Sequence, residues 1–224
     1  FVEGTQARIM LDTSGEALFK RGYRDETGEA PLRENLAAGL LMLAGYDGTQ
    51  AFIDPMCGSG TIAIEAALLA KNQAPGLYRH FGFEKLKGFQ ADVWSKIKQQ
   101  ALSVVKAPEA SLQAADIDRQ VIRAAIANAH QAGVDDVLAF KVQDVIKATA
   151  AAETGVLVSN PPYGIRLEDE HFLRGFYPQL SSVLKQQFHG WQVALVSADM
   201  GLPSVLRLTP ARKIPLFNGK LDCR

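Results

Sequence analysis

Short apolar runs and longer segments with apolar residues three and four positions apart succeed one another along most of this chain. A run of four to six apolar residues suits a strand buried on both faces, and three-four spacing suits a helix with one apolar side. Their alternation predicts parallel β-α units wound on both faces of one sheet. The strands fall at Ala51–Asp54, Leu112–Asp116, Val137–Val142, Val156–Ser159 and Trp191–Ser197, and the helices at Leu32–Ala44, Thr61–Asn72, Asp118–Ala132 and Asp169–Phe188, the last running through Pro178. Residues 73–108 delay the second strand with an insertion made of a Pro-Gly turn, a basic aromatic loop and a helix over Asp92–Lys106. Two hairpins are predicted at the ends. One joins Ala7–Asp12 to Ala17–Tyr23 around Thr13-Ser14-Gly15-Glu16, and the other joins Lys213–Phe217 to Lys220–Cys223 through Asn218-Gly219. The expected fold is therefore α/β and Rossmann-like: a doubly wound, mostly parallel seven-stranded sheet with an antiparallel C-terminal hairpin, preceded by a short N-terminal β-hairpin.

Composition narrows this picture. The chain has 224 residues, 47% of them hydrophobic and 21% charged, which suits one full-sized core and excludes disordered or fibrous classes. The apolar stretch Ile62–Ala70 is broken by Glu65 long before the roughly 18 residues a membrane span needs, so no membrane partner is expected. No secretory signal opens the chain, and a start at Phe1 rather than Met leads us to expect a fragment. Cys57 and Cys223 form no metal-type pair, which points to a reducing, cytoplasmic setting. Basic and acidic residues number 24 each, so nucleic-acid binding must be local or lent by a part outside this chain.

Three loops after predicted strands carry candidate chemistry. In Asp54-Pro55-Met56-Cys57-Gly58-Ser59-Gly60-Thr61 the glycines let a ligand approach backbone N–H groups at a helix start. The dinucleotide pattern Gly58-x-Gly60-x-x-Ala63 is also met, but the next strand-end acid, Asp116, lies well beyond the roughly 20 residues that pattern expects, which disfavours a nicotinamide or flavin site. Asp116-Ile117-Asp118 puts a carboxylate at the sheet's ligand-binding edge, where it can accept both hydroxyls of a ribose, while Asp118 is accounted for as a helix cap. Asp144 sits at the equivalent edge position and suits either an adenine amino group or another cap. Asn160-Pro161-Pro162-Tyr163-Gly164 is the sharpest signal: the prolines stiffen a loop that can offer the Asn160 amide and the Pro161 carbonyl as acceptors for an exocyclic amine, with Tyr163 to stack on its ring. The histidines, His80, His130, His171 and His189, have no ligand spacing, so no metal is expected. Arg79, His80, Lys85, Lys87, Lys96 and Lys98 with Tyr78, Phe81, Phe83 and Phe89 suit either a phosphate backbone with unpaired bases or a solvated loop over a minor hydrophobic cluster.

Asp54–Thr61, Asp116–Asp118, Asp144 and Asn160–Gly164 together resemble the class I S-adenosylmethionine-dependent methyltransferases of the amino-methylating branch. Lys20-Arg21-Gly22-Tyr23-Arg24, Ala30-Pro31-Leu32-Arg33-Glu34-Asn35-Leu36 and the tail Phe217–Arg224 resemble the catalytic domain of the bacterial RlmL-type 23S rRNA guanine-N2 methyltransferases. This resemblance implies S-adenosyl-L-methionine as cofactor and an RNA partner, 23S rRNA with a flipped guanine. It also implies an upstream THUMP-type RNA-binding domain to which residues 1–30 form the joint, with residues 31–224 as the methyltransferase domain. Carried onto this sequence, it implies donor binding by Asp54, Met56, Cys57, Gly58, Gly60, Thr61, Asp116, Ile117 and Asp144, and catalysis by Asn160, Pro161 and Tyr163. Two rivals stay open: an adenine N6 methyltransferase acting on DNA or RNA, and a non-catalytic RNA-binding module with the same fold.

Overall fold

Phe52–Asp54 and Val156–Ser159 are buried at every position, as central strands must be when helices cover both faces of a parallel sheet. The computed structural model describes residues 2–24, 32–162, 167–219 and 221–224. In chain order these hold β1 (Val2–Glu3), β2 (Gln6–Ala7), α1 (Glu34–Leu43), β3 (Phe52–Asp54), α2 (Thr61–Ala70), α3 (Ala91–Ser103), β4 (Leu112–Asp116), α4 (Arg119–Ala132), β5 (Leu138–Val142), β6 (Val156–Ser159), α5 (Leu167–Gln187), β7 (Gln192–Leu195), α6 (Leu202–Leu206), β8 (Leu216–Asn218) and β9 (Leu221–Cys223). Strands β3 to β7 make one parallel sheet in the order β5-β4-β3-β6-β7. The chain starts in the middle at β3, walks outward to β5, then returns to β6 on the other side of β3. That reversal lies between β3 and β6, and open α/β sheets bind their ligands at the carboxyl ends of the strands that flank it.

Each face of the sheet has its own core. Ile62, Ile64, Ala67, Ile122, Ala125 and Val158 belong to a cluster formed with α1, α2 and α4, whereas Leu157, Tyr177, Leu180, Leu184 and Leu206 belong to one formed with α5 and α6. The Ala-rich α2 is buried at nine of its ten positions, because small side chains let it lie close to the sheet and to α4 at once. Among the described residues no helix is long and apolar enough to cross a membrane.

The doubly wound parallel architecture and the C-terminal hairpin are as expected, but the strand count is five in the main sheet rather than seven. Strands β8 and β9, three residues each, pair with one another and meet the sheet through the reciprocal 2.9 Å backbone bonds between Ser197 and Arg224, just past the end of β7. Within that hairpin Asn218 pairs with Leu221, so Asn218 belongs to the strand and the loop starts at Gly219. The N-terminal hairpin also falls elsewhere, at Val2–Glu3 against Gln6–Ala7. Over residues 8–24 the chain is irregular because its polar groups pair with the insertion and with α2: the Thr13 carbonyl accepts from Phe83 N at 2.9 Å, and Tyr23, 4% exposed, reaches α2. The short helix α6, with Pro203 in its first turn, had no counterpart in the sequence reading.

Candidate active site

The carboxyl ends of β3, β4, β5 and β6 open onto one cavity of about 930 Å³, large enough for a nucleoside-sized ligand. Asp54, Met56, Cys57, Gly58 and Thr61 line it from the β3 side, Asp116 and Ile117 from β4, Asp144 from β5, and Asn160 from β6. Gly60 and Pro161 are buried behind that surface and do not line it. Tyr163 lies outside the described residues. Four strand ends thus converge on one cavity as the spacing of the motifs predicted.

Between β3 and α2 the turn is held mostly by its own neighbours. Asp116 Oδ2 accepts from Gly58 N at 3.0 Å and its Oδ1 from Asp118 N at 3.0 Å, while Cys57 N donates to the Ala115 carbonyl and Gly60 N to the Cys57 carbonyl. The glycine amides of the turn are therefore occupied within the protein. The glycines instead set its shape. Gly58 has φ +54° with open space where a Cβ would stand, so the cavity reaches the backbone there; a Cβ at Gly60, φ +85°, would come within 3.1 Å of the Ala125 side chain. Asn128, 1% exposed on α4, donates to the Ser59 carbonyl at 3.0 Å and fixes the turn from behind.

Asp54 is the most unusual group at the site. It is 1% exposed, its Oδ1 accepts from Ser159 Oγ at 2.6 Å and from Met56 N at 3.3 Å, and its Oδ2 is buried with no partner among the described residues. Burial pushes its pKa up to about 7 against those two hydrogen bonds, with the Asp116 charge adding to the rise. An orphaned carboxylate oxygen on a cavity wall fits a ligand that brings a cation or an N–H donor. Burial also raises the Cys57 thiol, which argues against a thiolate nucleophile there.

Asp118 accepts from Gln120 N and Val121 N as the N-cap of α4, the role read from its position. Asp144 Oδ1 accepts from Ile146 N at 3.1 Å, so it caps a short 3-10 turn while also facing the cavity. The Asn160 side chain is half-buried and makes no hydrogen bond among the described residues, which leaves its amide for a ligand. The Pro162 carbonyl is clamped by the hydroxyl of Tyr177 on α5 at 2.8 Å. Tyr177, Ser159 and Asn128 were absent from the sequence reading, as were the cavity-lining Phe176 and Gln179 of α5. Of these only Ser159 carried a visible signal, as the one hydroxyl ending an otherwise apolar strand.

Behind the turn, Arg24 donates through one guanidinium nitrogen to both the Thr61 hydroxyl and the Leu32 carbonyl, each at 2.6 Å, and both acceptors belong to cavity-lining residues. Its Nε lies 3.8 Å from Glu34. One turn further along α2, the buried Glu65 accepts from Tyr23 at 3.0 Å and pairs with Arg21 at 3.4 Å. Burial raises the Glu65 pKa, opposed first by the Arg21 charge.

A parallel sheet reversing at β3 and β6, with carboxylates on three strand ends and an Asn-Pro-Pro loop on the fourth, has the architecture of the S-adenosylmethionine-dependent methyltransferases. The chain belongs to the family described as RMKL-like, methyltransferase domain, whose model matches residues 21–224. It is 43% identical over 221 residues, 96% of its length, to the ribosomal RNA large subunit methyltransferase K/L of Shewanella baltica strain OS185, and spans about a third of that curated relative, 31%. It is also similar to a solved putative methyltransferase complexed with SAH, at 32% identity and TM-score 0.87 over 95% of this chain and 55% of that one. A third likeness, at 37% identity and TM-score 0.85, is to a structure from Listeria monocytogenes described as a predicted N6-adenine-specific DNA methylase, again with 95% of this chain and 55% of that one covered.

Proposed function

We propose that this domain transfers a methyl group from S-adenosylmethionine to the exocyclic N2 amine of a guanine in RNA, with large-subunit ribosomal RNA as the substrate. The observation that carries this reading is the meeting, in one cavity, of the Asp54 carboxylate, one oxygen of which has no partner among the described residues, the Asp116 carboxylate and the Asn160 amide. S-adenosylmethionine, when bound, supplies an electrophilic methyl group. Asp54 Oδ2 suits the ammonium of its methionine part, Asp116 its ribose and Asp144 its adenine, with Met56, Cys57, Gly58, Thr61 and Ile117 shaping the walls and Gly60 keeping the turn against α4.

Asn160 would accept one N–H of the target amine from the cavity wall, and the carbonyl of Pro161, a residue buried behind that wall, is assigned the other. Both would stabilise the positive charge the nitrogen gains as its bond to the methyl forms, with S-adenosylhomocysteine leaving and the surplus amine proton passing to solvent. An amide cannot serve as a general base, so Asn160 acts by position and dipole. Tyr163 is assigned to stack on the extruded base. Base extrusion costs a few kcal/mol, least in an unpaired nucleotide, which favours a loop in the RNA. Residues 1–30 are read as the joint to an RNA-binding THUMP-type unit and residues 31–224 as the methyltransferase domain, working in the cytoplasm.

The test is nucleoside mass spectrometry after incubation with labelled donor and either ribosomal RNA or DNA. N2-methylguanosine from RNA is expected. N6-methyladenine as the sole product would replace guanine by adenine, and failure to bind the donor in calorimetry would reduce the domain to a binding module.

A further inference from the structure

The balanced charge of the chain conceals a separation. The insertion, residues 73–108, carries six basic residues against two acidic ones, so the remainder holds eighteen against twenty-two. Four of its aromatic residues pack on one another, while Tyr78 stands 73% exposed. Phe81 and Phe83 stack at 5.2 Å, Trp94 of α3 meets them edge-on at 5.6 and 5.0 Å, and Phe89 lies 6.0 Å from Phe83. These rings form a small core of their own, which turns a 36-residue excursion into a built platform. Arg79 fastens it to residues 16 and 17 by their carbonyls and lies over the Phe81 ring.

The outside carries lysines beside exposed apolar side chains, Tyr78, Val93, Ile97, Leu102 and Val104 among them. Lys85 and Lys87 are exposed and make no hydrogen bond or ion pair among the described residues, and Lys98 rests over the Trp94 ring at 5.8 Å. The nearby Glu84 is engaged by Phe81 N at 2.7 Å and by His80 at 3.3 Å, and its charge also acts on Lys98. Helix α3 buries none of its residues.

We propose that this platform is a docking surface for the phosphate backbone of RNA, with Lys85, Lys87 and Lys98 as its contacts. The proposal rests on RNA being the substrate. A polyanion fits the exposed Lys85 and Lys87 and the ring-seated Lys98 on a packed aromatic cluster, and backbone contacts of this kind position an RNA without reading its bases. The platform is rooted at the far end of α2 from the cavity. Lys106 N donates to the Lys71 carbonyl at 2.9 Å and Asn72 Nδ2 to the Val104 carbonyl at 3.3 Å, while Thr61 at the other end lines the cavity. Ten residues of helix separate the two by roughly 15 Å. None of Lys85, Lys87 and Lys98 lines the cavity, so the lysines govern capture and leave the chemistry alone.

The experiment compares the parent with K85Q/K87Q/K98Q and K85R/K87R/K98R, measuring binding to protein-free large-subunit ribosomal RNA across a salt series, together with KM for RNA, kcat and donor affinity. Three lost phosphate contacts lower the slope of log affinity against log salt by about 2 to 3. For the glutamine variant we expect that drop, a KM raised at least tenfold, and kcat and donor affinity unchanged; the arginine variant stays at the parent's values. An unchanged slope and KM in the glutamine variant overturns the platform, and so does a parent that does not bind the RNA. If RNA binding holds while cross-linking to ribosomal proteins falls, the face docks protein and the proposal is wrong. A parent that shows the lysine-dependent slope yet methylates nothing defeats the methyl-transfer reading and leaves the platform standing.

Discussion

Two cavities open on this molecule, one at the carboxyl ends of the strands and one along the edge of β7, and only the first has the makings of a site. The cavity at the strand ends, about 930 Å³, collects four carboxylates, Asp54, Asp116, Asp118 and Asp144, with the Asn160 amide and a glycine turn. The other, about 590 Å³, lies along the outer edge of β7 between α5, α6 and the chain that leads to β8, and its walls are mostly apolar, with Phe188, Trp191, Val193, Leu202 and Leu208 among them. Volume does not separate them. What does is that the first cavity sits where the strand order reverses, so loops from four strands deliver polar groups to one point. One of those groups is held in a state that burial makes costly. The second lies at the edge of the sheet, away from the reversal and from the loops that follow β3, β4, β5 and β6.

The largest effect that would sharpen this contrast is at Asn160. Asn160→Ala removes a transition-state acceptor while leaving the walls of the donor cavity in place. Turnover should fall by about 10²- to 10³-fold with donor affinity within a few fold, as read by single-turnover methylation beside calorimetry. Equal loss of both would assign Asn160 to donor binding instead.

Next in size is Asp54→Asn. Removing a buried carboxylate that faces a ligand cation costs about 2–5 kcal/mol, so donor affinity should drop by roughly a hundredfold. The pH dependence checks the same group. With the pKa of the empty site raised to about 7, the carboxyl is protonated at pH 6 and must lose its proton to meet an ammonium, so donor affinity falls about tenfold between pH 8 and pH 6. In Asp54→Asn that slope disappears. Stability has the opposite sign: a carboxyl whose pKa rises on folding favours the folded state at low pH, and that contribution is lost as pH climbs through about 7. The ligand-free variant should therefore gain melting temperature over the parent at pH 8 more than at pH 5.

How much of this was legible in the sequence divides along the same physical line. Strand ends followed by Asp, Gly or Asn-Pro-Pro are local signals, so β3, β4, β6 and the Asp118 cap lay within a residue or two of their expected places. Contacts that join distant segments left no local trace. The Ser159–Asp54 bond spans 105 residues and the Tyr177–Pro162 bond joins a helix to a loop, and neither alters a hydrophobic pattern. Over residues 8–24 the pattern misled. The consecutive apolar residues Ile9, Met10 and Leu11 suggest a strand, yet Ile9 is 94% exposed, and Arg21, Tyr23 and Arg24 fix the segment's position through polar contacts to α2 and Leu32.

That polar seam supplies the third test. Arg24→Ala leaves the buried Glu34 without its cation and releases Thr61 and the Leu32 carbonyl, both on cavity-lining residues. Breaking one partner of a buried pair costs about 3 kcal/mol, so the melting temperature should fall by roughly 6–12 °C, and donor affinity should weaken by about tenfold from a loosened wall. Arg24→Lys restores the charge and cannot bridge both acceptors with one planar fork, so it should recover stability more than donor affinity. Recovery of both in equal measure would make Arg24 purely structural.

The smallest effect is expected in the other cavity, and it matters because it is a null on function. Leu208 is half-buried, lines the apolar cavity and packs against the core under α5 and α6. Leu208→Ala deletes apolar contact without exposing a polar group, so it should cost about 1 kcal/mol of stability in denaturant titration. Donor affinity and turnover should match the parent, because no described hydrogen bond runs from Leu208 to the strand ends that carry Asp54, Asp116 and Asn160. A loss of donor affinity in this variant would mean that the edge of β7 is coupled to the strand ends through the sheet. Convergence of loops would then be too narrow a description of what makes the first cavity a site.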